Sequence, residues 1–178
     1  MKLLVTTGFG NIIQGGADVW TNHFINLVLP QLSEDYFIFV DGRKPVGFET
    51  SLTNYHFHYD NNNKSEQLLK DCTEIHFLHA NYHKREHLWK HKDKWCNIFV
   101  HAYLPDMLKY GDSTKQFQTN IDTEAVDDLM SHCKQRIWIG LTDSQLFTDY
   151  PNNTITIPTL NKSFKYFLAL ETLPAPIW

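Results

Sequence analysis

The chain has 178 residues, 42% apolar and 14% aromatic, which is enough to bury one good hydrophobic core and hardly two. A net charge of −4 excludes the overall positive field that non-specific binding to nucleic acid or anionic lipid requires. Cys72, Cys96 and Cys133 are far apart and form no CxxC pair, so they indicate neither a disulfide framework nor a zinc site, and we expect a cytoplasmic protein.

The first predicted element is a strand. Residues 2–7 form a short apolar run that ends at Gly8 and Gly10, a pattern typical of a buried parallel strand. The run is too short for the apolar segment of a signal peptide. No stretch of the sequence approaches the length of a membrane span, so we expect none.

The following segments predict strands and helices in alternation. Further strands are predicted at 36–40, 55–59, 74–79, 95–101, 136–141 and 154–157. Helices are predicted at 17–32, 65–71, 82–92 and 123–133, and a short one opens at 142–144. This alternation predicts a Rossmann-like α/β domain over residues 1–160, a mostly parallel sheet with helices on both faces. Residues 161–178 are expected to be a linker or tail.

Ligands of an open parallel sheet bind outside the carboxyl ends of its strands, so the segments that follow the strands form the candidate site. These segments are 8–16, 41–44, 79–83, 101–106 and 142–145. Gly15 and Gly16 directly precede a helix, where free backbone N–H groups and the positive end of the helix dipole can bind a phosphate or a sugar hydroxyl. Both glycines also fit a tight strand-to-helix turn, and their spacing does not decide between the two interpretations.

Four motifs resemble the N-terminal, acceptor-side domain of glycosyltransferases of the GT-B fold. GGADVWTNHFINLVLPQL is similar to the opening of these enzymes, in which a Gly-Gly pair starts the first helix. NIFVHAYLPDML resembles a strand that ends in a histidine near the reacting sugar, and RIWIGLTDSQLF resembles a later strand whose loop carries a serine. TITIPTLNKSF resembles the stretch that leads into the second domain. Within the family, the proportions of the chain resemble those of the phage enzymes that glycosylate modified bases in DNA.

The resemblance implies transfer of a sugar from a nucleoside-diphosphate sugar, acting as co-substrate, to an acceptor hydroxyl, without a required metal or other cofactor. In that reaction His101 would position or polarise the reacting centre. Enzymes of this family often have an acidic residue beside the histidine, whereas this chain has Ala102. Asp106 is then the nearest carboxylate, and the resemblance makes it the second candidate catalytic residue and a candidate acceptor contact.

The same resemblance assigns the remaining candidate residues. Gly15 and Gly16 would line the cleft, and Asp143 and Ser144 would contact the acceptor, which is a glycan or modified DNA. The family's donor-binding residues belong to a second domain of similar size, and this sequence ends before it. We therefore expect the chain alone to be inactive until a donor-binding domain or a second chain completes the site.

A histidine-rich segment offers a competing interpretation. His79, His83, His87 and His91 recur every fourth residue, and the last three would share one face of the predicted helix 82–92, as metal-ligating pairs do. No cysteine accompanies them, and basic residues are interleaved with them. Adventitious metal affinity on a solvated basic face is therefore favoured over a physiological metal site.

Other residues also have two interpretations. Trp89 and Trp95 could stack on DNA beside the basic segment, but large apolar residues next to a buried strand more often belong to the core. His56 and His58 alternate on the predicted strand 55–59 and fit an exposed strand face.

A non-enzymatic Rossmann-like module that binds a nucleotide, a glycan or a protein stays open beside the transferase. A hydrolase or dehydrogenase is more distant, because the sequence contains no GxSxG elbow, P-loop or dinucleotide fingerprint. An enzyme half is expected to bind its acceptor weakly, and a stand-alone module is expected to bind its ligand tightly.

Overall fold

A parallel sheet forms the centre of the protein. The computed structural model describes residues 1–11, 16–32, 35–79, 83–101, 103, 105–106, 122–139 and 144–156. Within these residues the strands are β1 (Lys2–Thr6), β2 (Tyr36–Val40), β3 (Tyr55–Phe57), β4 (Glu74–Phe77), β5 (Trp95–Val100), β6 (Gln135–Trp138) and β7 (Thr154–Thr156). Every neighbouring pair is parallel, in the order β3-β2-β1-β4-β5-β6-β7. The chain reverses its direction of travel across the sheet between β1 and β4, which makes this the topological switch point.

The predicted α/β, Rossmann-like fold class is confirmed. Strand β2 has the bounds expected from the sequence, whereas the predicted strand 136–141 starts one residue late and runs past the observed end at Trp138. The apolar runs place the strands correctly because both faces of a parallel sheet are buried.

The helices are α1 (Gly16–His23), α2 (Asn62–Asp71), α3 (Glu86–Trp89), α4 (Thr123–His132) and α5 (Leu146–Asp149). The predicted helix 17–32 continues beyond α1 as a π-helical turn, Phe24–Val28, and a 3-10 turn, Leu29–Gln31. Pro30 lies in the last turn and has no amide to donate. Side-chain caps begin two helices: Asn61 accepts from the amide of Lys64 at 3.0 Å, and Asp122 accepts from that of Ala125 at 3.0 Å.

The predicted helix 82–92 is wrong in length. Its described part contains only the four-residue α3, followed by the 3-10 turn Lys92–Lys94. Leu88 and Trp89 are the buried residues of α3. Because short helices are stabilised mainly by packing of an apolar face, the helical turn is confined to the residues that reach the core.

Helices cover both faces of the sheet. One cluster of buried side chains joins α2, α3, α4 and α5 to one face, and it includes Leu69, Leu88, Leu129 and Leu146. The other cluster packs Ile25 and the helical segment after β1 against the opposite face. Leu3 and Leu4 face different clusters, as successive residues of a strand must.

Both tryptophans considered for DNA stacking belong to the core. Trp95 is fully buried and packs edge-on against Trp89 at 4.8 Å between ring centroids. The indole Nε1 of Trp89 donates to Asp128 Oδ2 at 2.7 Å, so its polar edge is also satisfied.

The prediction that His56 and His58 lie on an exposed strand face is wrong. Both side chains are buried, because α2 packs over β3. His56 Nε2 lies 2.9 Å from Ser65 Oγ on that helix. Strand β3 lies at the edge of the sheet, but α2 covers its face.

Among the described residues, no helix is both long and apolar enough to span a membrane. The predicted linker or tail, 161–178, lies outside the described part of the chain.

Candidate functional site

Polar residues follow the strands on either side of the switch point and contact one another. Thr7 comes after β1 and His79 after β4, and Thr7 Oγ1 lies 3.1 Å from His79 Nε2. His101 comes after β5, and its Nε2 is 2.9 Å from the carbonyl oxygen of Leu78. The carboxyl ends of three adjacent strands are therefore linked through side chains at this edge.

His101 has the chemistry of a neutral base. Burial lowers the pKa of His101 to about 4, which outweighs the opposing effects of the Leu78 carbonyl and Asp18. A carbonyl oxygen can only accept, so Nε2 carries the proton and Nδ1 has a lone pair. Trp20 packs edge-on against the imidazole at 4.8 Å between ring centroids and helps to fix its orientation. A neutral imidazole held in this way can accept a proton from a hydroxyl group.

His79 lies beside His101 and was not selected as a site residue from the sequence. Burial lowers the pKa of His79 as well, against the opposing effects of Asp18 and Asp41. The buried Nδ1 of His79 has no hydrogen-bond partner in the described part of the chain. The rule that ligands bind at the ends of parallel strands included this residue in the candidate segment 79–83, but no motif singled it out.

A cavity of about 200 Å³ opens at the carboxyl ends of β1 and β2, beside α1. It is lined by Thr7, Gly8, Phe9, Asp18, Arg43, Pro45, Phe48 and Phe57. Phe9 and Phe48 meet edge to face at 5.2 Å, and Phe48 meets Phe57 in the same way at 4.9 Å. The cavity thus combines an aromatic wall with a carboxylate, a hydroxyl and a guanidinium group.

Asp41, the first residue after β2, anchors another segment to the same edge. Its side chain is fully buried, 3.2 Å from Arg85 Nε and 3.1 Å from His87 Nε2. The His87 ring stacks on His58 at 3.6 Å between centroids. Burial, and then His87, lower the pKa of His58 to about 4. This arrangement fixes residues 85–87 against the sheet.

His58 and His87 therefore take part in packing. In the described ranges, no three His, Cys, Asp or Glu residues are grouped so that they could hold a metal ion.

Two residues predicted from the sequence, Asp106 and Ser144, are hydrogen-bonded to each other. The hydroxyl of Ser144 donates to Asp106 Oδ2, and the amide of Gln145 donates to Asp106 Oδ1 at 2.8 Å. Ser144 Oγ also accepts from the amide of Leu146 at 3.1 Å, where α5 begins. Together they cap this helix and join the segment after β5 to the segment after β6.

Of the other predicted site residues, the structure describes Gly16. Gly16 is the first residue of α1, one residue earlier than the start of the predicted helix 17–32. Gly15 and Asp143 lie outside the described residues. The binding roles assigned to all three remain predictions.

A larger cavity, of about 660 Å³, lies beside α4. Its lining includes five carboxylates, from Asp122, Glu124, Asp127, Asp128 and Asp149. Such a concentration of negative charge would repel a phosphate-bearing ligand. We therefore place the candidate site at the switch point.

No protein-family model matches the sequence, and no curated protein matches it at significant similarity. The fold and the side chains at the switch point define the class of protein: a Rossmann-like α/β domain with two histidines and a small mixed cavity at the carboxyl edge of its sheet.

Proposed function

We propose that this domain is the acceptor-side half of a glycosyltransferase that moves a sugar from a nucleoside-diphosphate sugar to an acceptor hydroxyl. The observation that best supports the proposal is the state of His101. It lies at the carboxyl end of β5, it is neutral because it is half-buried, and its Nε2 is bound to the Leu78 carbonyl. Nδ1 is then the basic atom, on the side of the ring away from that bond.

The proposed reaction forms one bond and breaks another at the anomeric carbon of the donor. The acceptor oxygen attacks this carbon while its bond to the diphosphate breaks, and the nucleoside diphosphate leaves with the bonding electron pair. The acceptor proton passes to His101 Nδ1 or to the leaving phosphate. Positioning of the hydroxyl is the main contribution of this half, since correct orientation alone can supply several kcal/mol of the barrier.

Donor binding belongs, in this proposal, to a second domain or a second chain. The resemblance to GT-B enzymes supports this division, because there the phosphate-binding residues lie in the other domain. The diphosphate leaves readily only when its charge is neutralised. In this proposal the other domain neutralises it, while this half holds the acceptor. The proposal places the protein in the cytoplasm, because the three cysteines are free and buried.

Asp106 and Ser144 support the reaction indirectly in this scheme. Their hydrogen bond links the segment after β5, which starts at His101, to the start of α5. We assign them a positioning role for the acceptor loops. In this proposal Gly15 and Gly16 line the cleft, and Asp143 contacts the acceptor.

The test is transfer by the product of the complete gene, with any chain that co-purifies. It is incubated with a set of UDP-, GDP- and TDP-sugars and with glycans or DNA carrying hydroxymethylated bases, and the mass of each acceptor is measured. A mass increase of one sugar, with release of an equal amount of nucleoside diphosphate, supports the proposal. Complete absence of transfer and of donor hydrolysis across the set contradicts it.

One observation favours a second candidate, a non-enzymatic Rossmann-like binding module. Both carboxylate oxygens of Asp106 are occupied by the cap of α5, so its side chain is committed to structure. A binding module would bind a nucleotide or glycan tightly as the 178-residue chain. Calorimetric titration distinguishes the two: micromolar binding without transfer by the complete product indicates the module, and weak acceptor binding with transfer indicates the enzyme half.

A further inference from the structure

We propose that the cavity beside Arg43 selects an acceptor that carries an oxyanion, a phosphate or a carboxylate, on or next to the ring that enters the cavity. The inference rests on the proposed function, because it names the substrate class for the same edge of the sheet. It assigns Arg43 as the specificity-determining residue.

Arg43 differs from the other two arginines of the sequence in its surroundings. Arg85 pairs with the buried Asp41, and Arg136 donates to the carbonyl oxygens of Met130 and Cys133. Arg43 is exposed and makes no ion pair or hydrogen bond with any residue that the structure describes. Its guanidinium is permanently charged and presents a planar set of donors that matches an oxyanion.

The position of Arg43 directs this charge to the candidate site. It follows β2 and lines the same cavity as Thr7, which follows β1 and contacts His79. Lys44 adds positive charge nearby, with Nζ 5.8 Å from the centroid of the Phe48 ring in the cavity wall. Two cations therefore lie at one rim of the cavity, in a protein whose net charge is negative.

The rest of the lining fits a hydroxylated ring. Phe48 offers aromatic surface to its apolar face and is backed by the buried rings of Phe9 and Phe57, and the carboxylate of Asp18 lines the same cavity. The volume of about 200 Å³ corresponds to roughly seven water molecules at about 30 Å³ each, which is room for one ring and its substituents. A ring bound in this cavity would leave its oxyanion at the rim, beside Arg43.

Binding to the purified protein tests the inference without requiring transfer. Dissociation constants for glucose, glucose 6-phosphate, glucuronate and inorganic phosphate are measured by NMR titration at low and physiological salt. We expect at least one of the two charged sugars to bind tenfold or more tightly than glucose and than inorganic phosphate. Comparison of glucose 6-phosphate with glucuronate shows whether the phosphate or the carboxylate is preferred.

The variant Arg43→Gln removes the charge and keeps most of the side-chain length. It should abolish the preference for the charged sugar while leaving the affinity for glucose within about twofold. Lys90→Gln, which removes one exposed cation after α3, is the matched control and should retain the preference. Because Arg43 is exposed, both variants should unfold at the same urea concentration as the wild type.

Equal binding of glucose and both charged sugars, or a preference that survives in Arg43→Gln, would overturn the inference. Inorganic phosphate that binds as tightly as glucose 6-phosphate would also overturn it, since the ring would then contribute nothing. These failures are distinguishable from failure of the proposed function. Transfer to uncharged acceptors alone would uphold the glycosyltransferase and reject the role of Arg43. Selective binding of a charged sugar without transfer would uphold the role of Arg43 and reject the glycosyltransferase.

Discussion

His101 Nε2 donates a hydrogen bond to the carbonyl oxygen of Leu78 at a distance of 2.9 Å. The bond joins the ends of β5 and β4, on the far side of the switch point from β1. It also decides which ring nitrogen of His101 holds the proton, so one contact sets both the orientation and the chemistry of the imidazole.

The first prediction concerns this tautomer. At pH 7 the His101 ring should be neutral, with its proton on Nε2, because burial lowers the pKa of His101 to about 4. Long-range ¹H–¹⁵N correlation spectra of the imidazoles measure both properties. A titration midpoint near 6.5, or a proton on Nδ1, would contradict the prediction.

Acid should destabilise the fold between pH 7 and pH 5. The pKa of His58 and that of His101 are both lowered from 6.5 to about 4, so the unfolded chain binds more protons than the folded chain in this window. The free energy of unfolding therefore falls as the pH falls, by on the order of 1–3 kcal/mol in total. Urea unfolding at the two pH values measures the loss.

Matched variants identify the histidines responsible. His58→Phe keeps a ring stacked on His87 and should remove a substantial part of the pH dependence. Lys90→Gln replaces an exposed side chain and removes no histidine, so it should leave the dependence unchanged. Equal stability of the wild type at pH 7 and pH 5 would show that burial of these rings carries no cost.

Two glycines with positive φ should respond differently to alanine. Gly10 has φ 78°, and an added Cβ would lie 2.7 Å from the carbonyl oxygen of Glu49. Asn22 holds Gly10 by two hydrogen bonds of 2.7 Å, to its N–H and its carbonyl, so the backbone is hindered from moving away. Gly47 has φ 75°, but an added Cβ would meet nothing within 4 Å.

Gly47→Ala should therefore cost about 1 kcal/mol from backbone strain alone. Gly10→Ala should cost about 2 kcal/mol or more, because a close contact is added to the same strain. Urea unfolding of the two variants gives the comparison. Equal losses would mean that the loop around Gly10 relaxes freely.

The cap formed by Asp106 and Ser144 should appear as an energetic coupling. Asp106→Asn and Ser144→Ala each remove part of one hydrogen-bonded unit, so their effects on the free energy of unfolding should not add. A double-mutant cycle should give a coupling of about 0.5–3 kcal/mol. Pairing Ser144→Ala with Gln67→Ala on α2 is the control and should be additive. Additivity in the first pair would remove the proposed positioning role.

The strands could be predicted from the sequence because most of them contain a short apolar or aromatic run bounded by turn residues. Tyr36–Val40 is apolar or aromatic throughout and is bounded by a turn, so its limits follow directly. The burial of His56 could not be predicted in this way, because it depends on α2, which packs over the strand only in the tertiary structure. The length of α3 also depends on tertiary packing, through the few side chains that reach the core.

The candidate site, like the fold, could be predicted from the sequence only in part. The strand-end rule drew attention to His101 and to the neighbourhood of Ser144. It could not show that Asp106 bonds to Ser144, since the two are 38 residues apart. It included Arg43 in the candidate segment 41–44 but could not single it out, because no local pattern reveals which cation stays unpaired after folding.

If His101 acts on the acceptor hydroxyl, His101→Ala should lose most of the turnover of the complete gene product. We expect kcat to decrease by about a hundredfold or more, with the KM for the nucleotide-sugar within about threefold of the wild type, since general base catalysis contributes about 10² to 10⁴. His132→Gln should keep wild-type turnover. Near-normal turnover of a folded His101→Ala protein would contradict the claim and remove this histidine from the site.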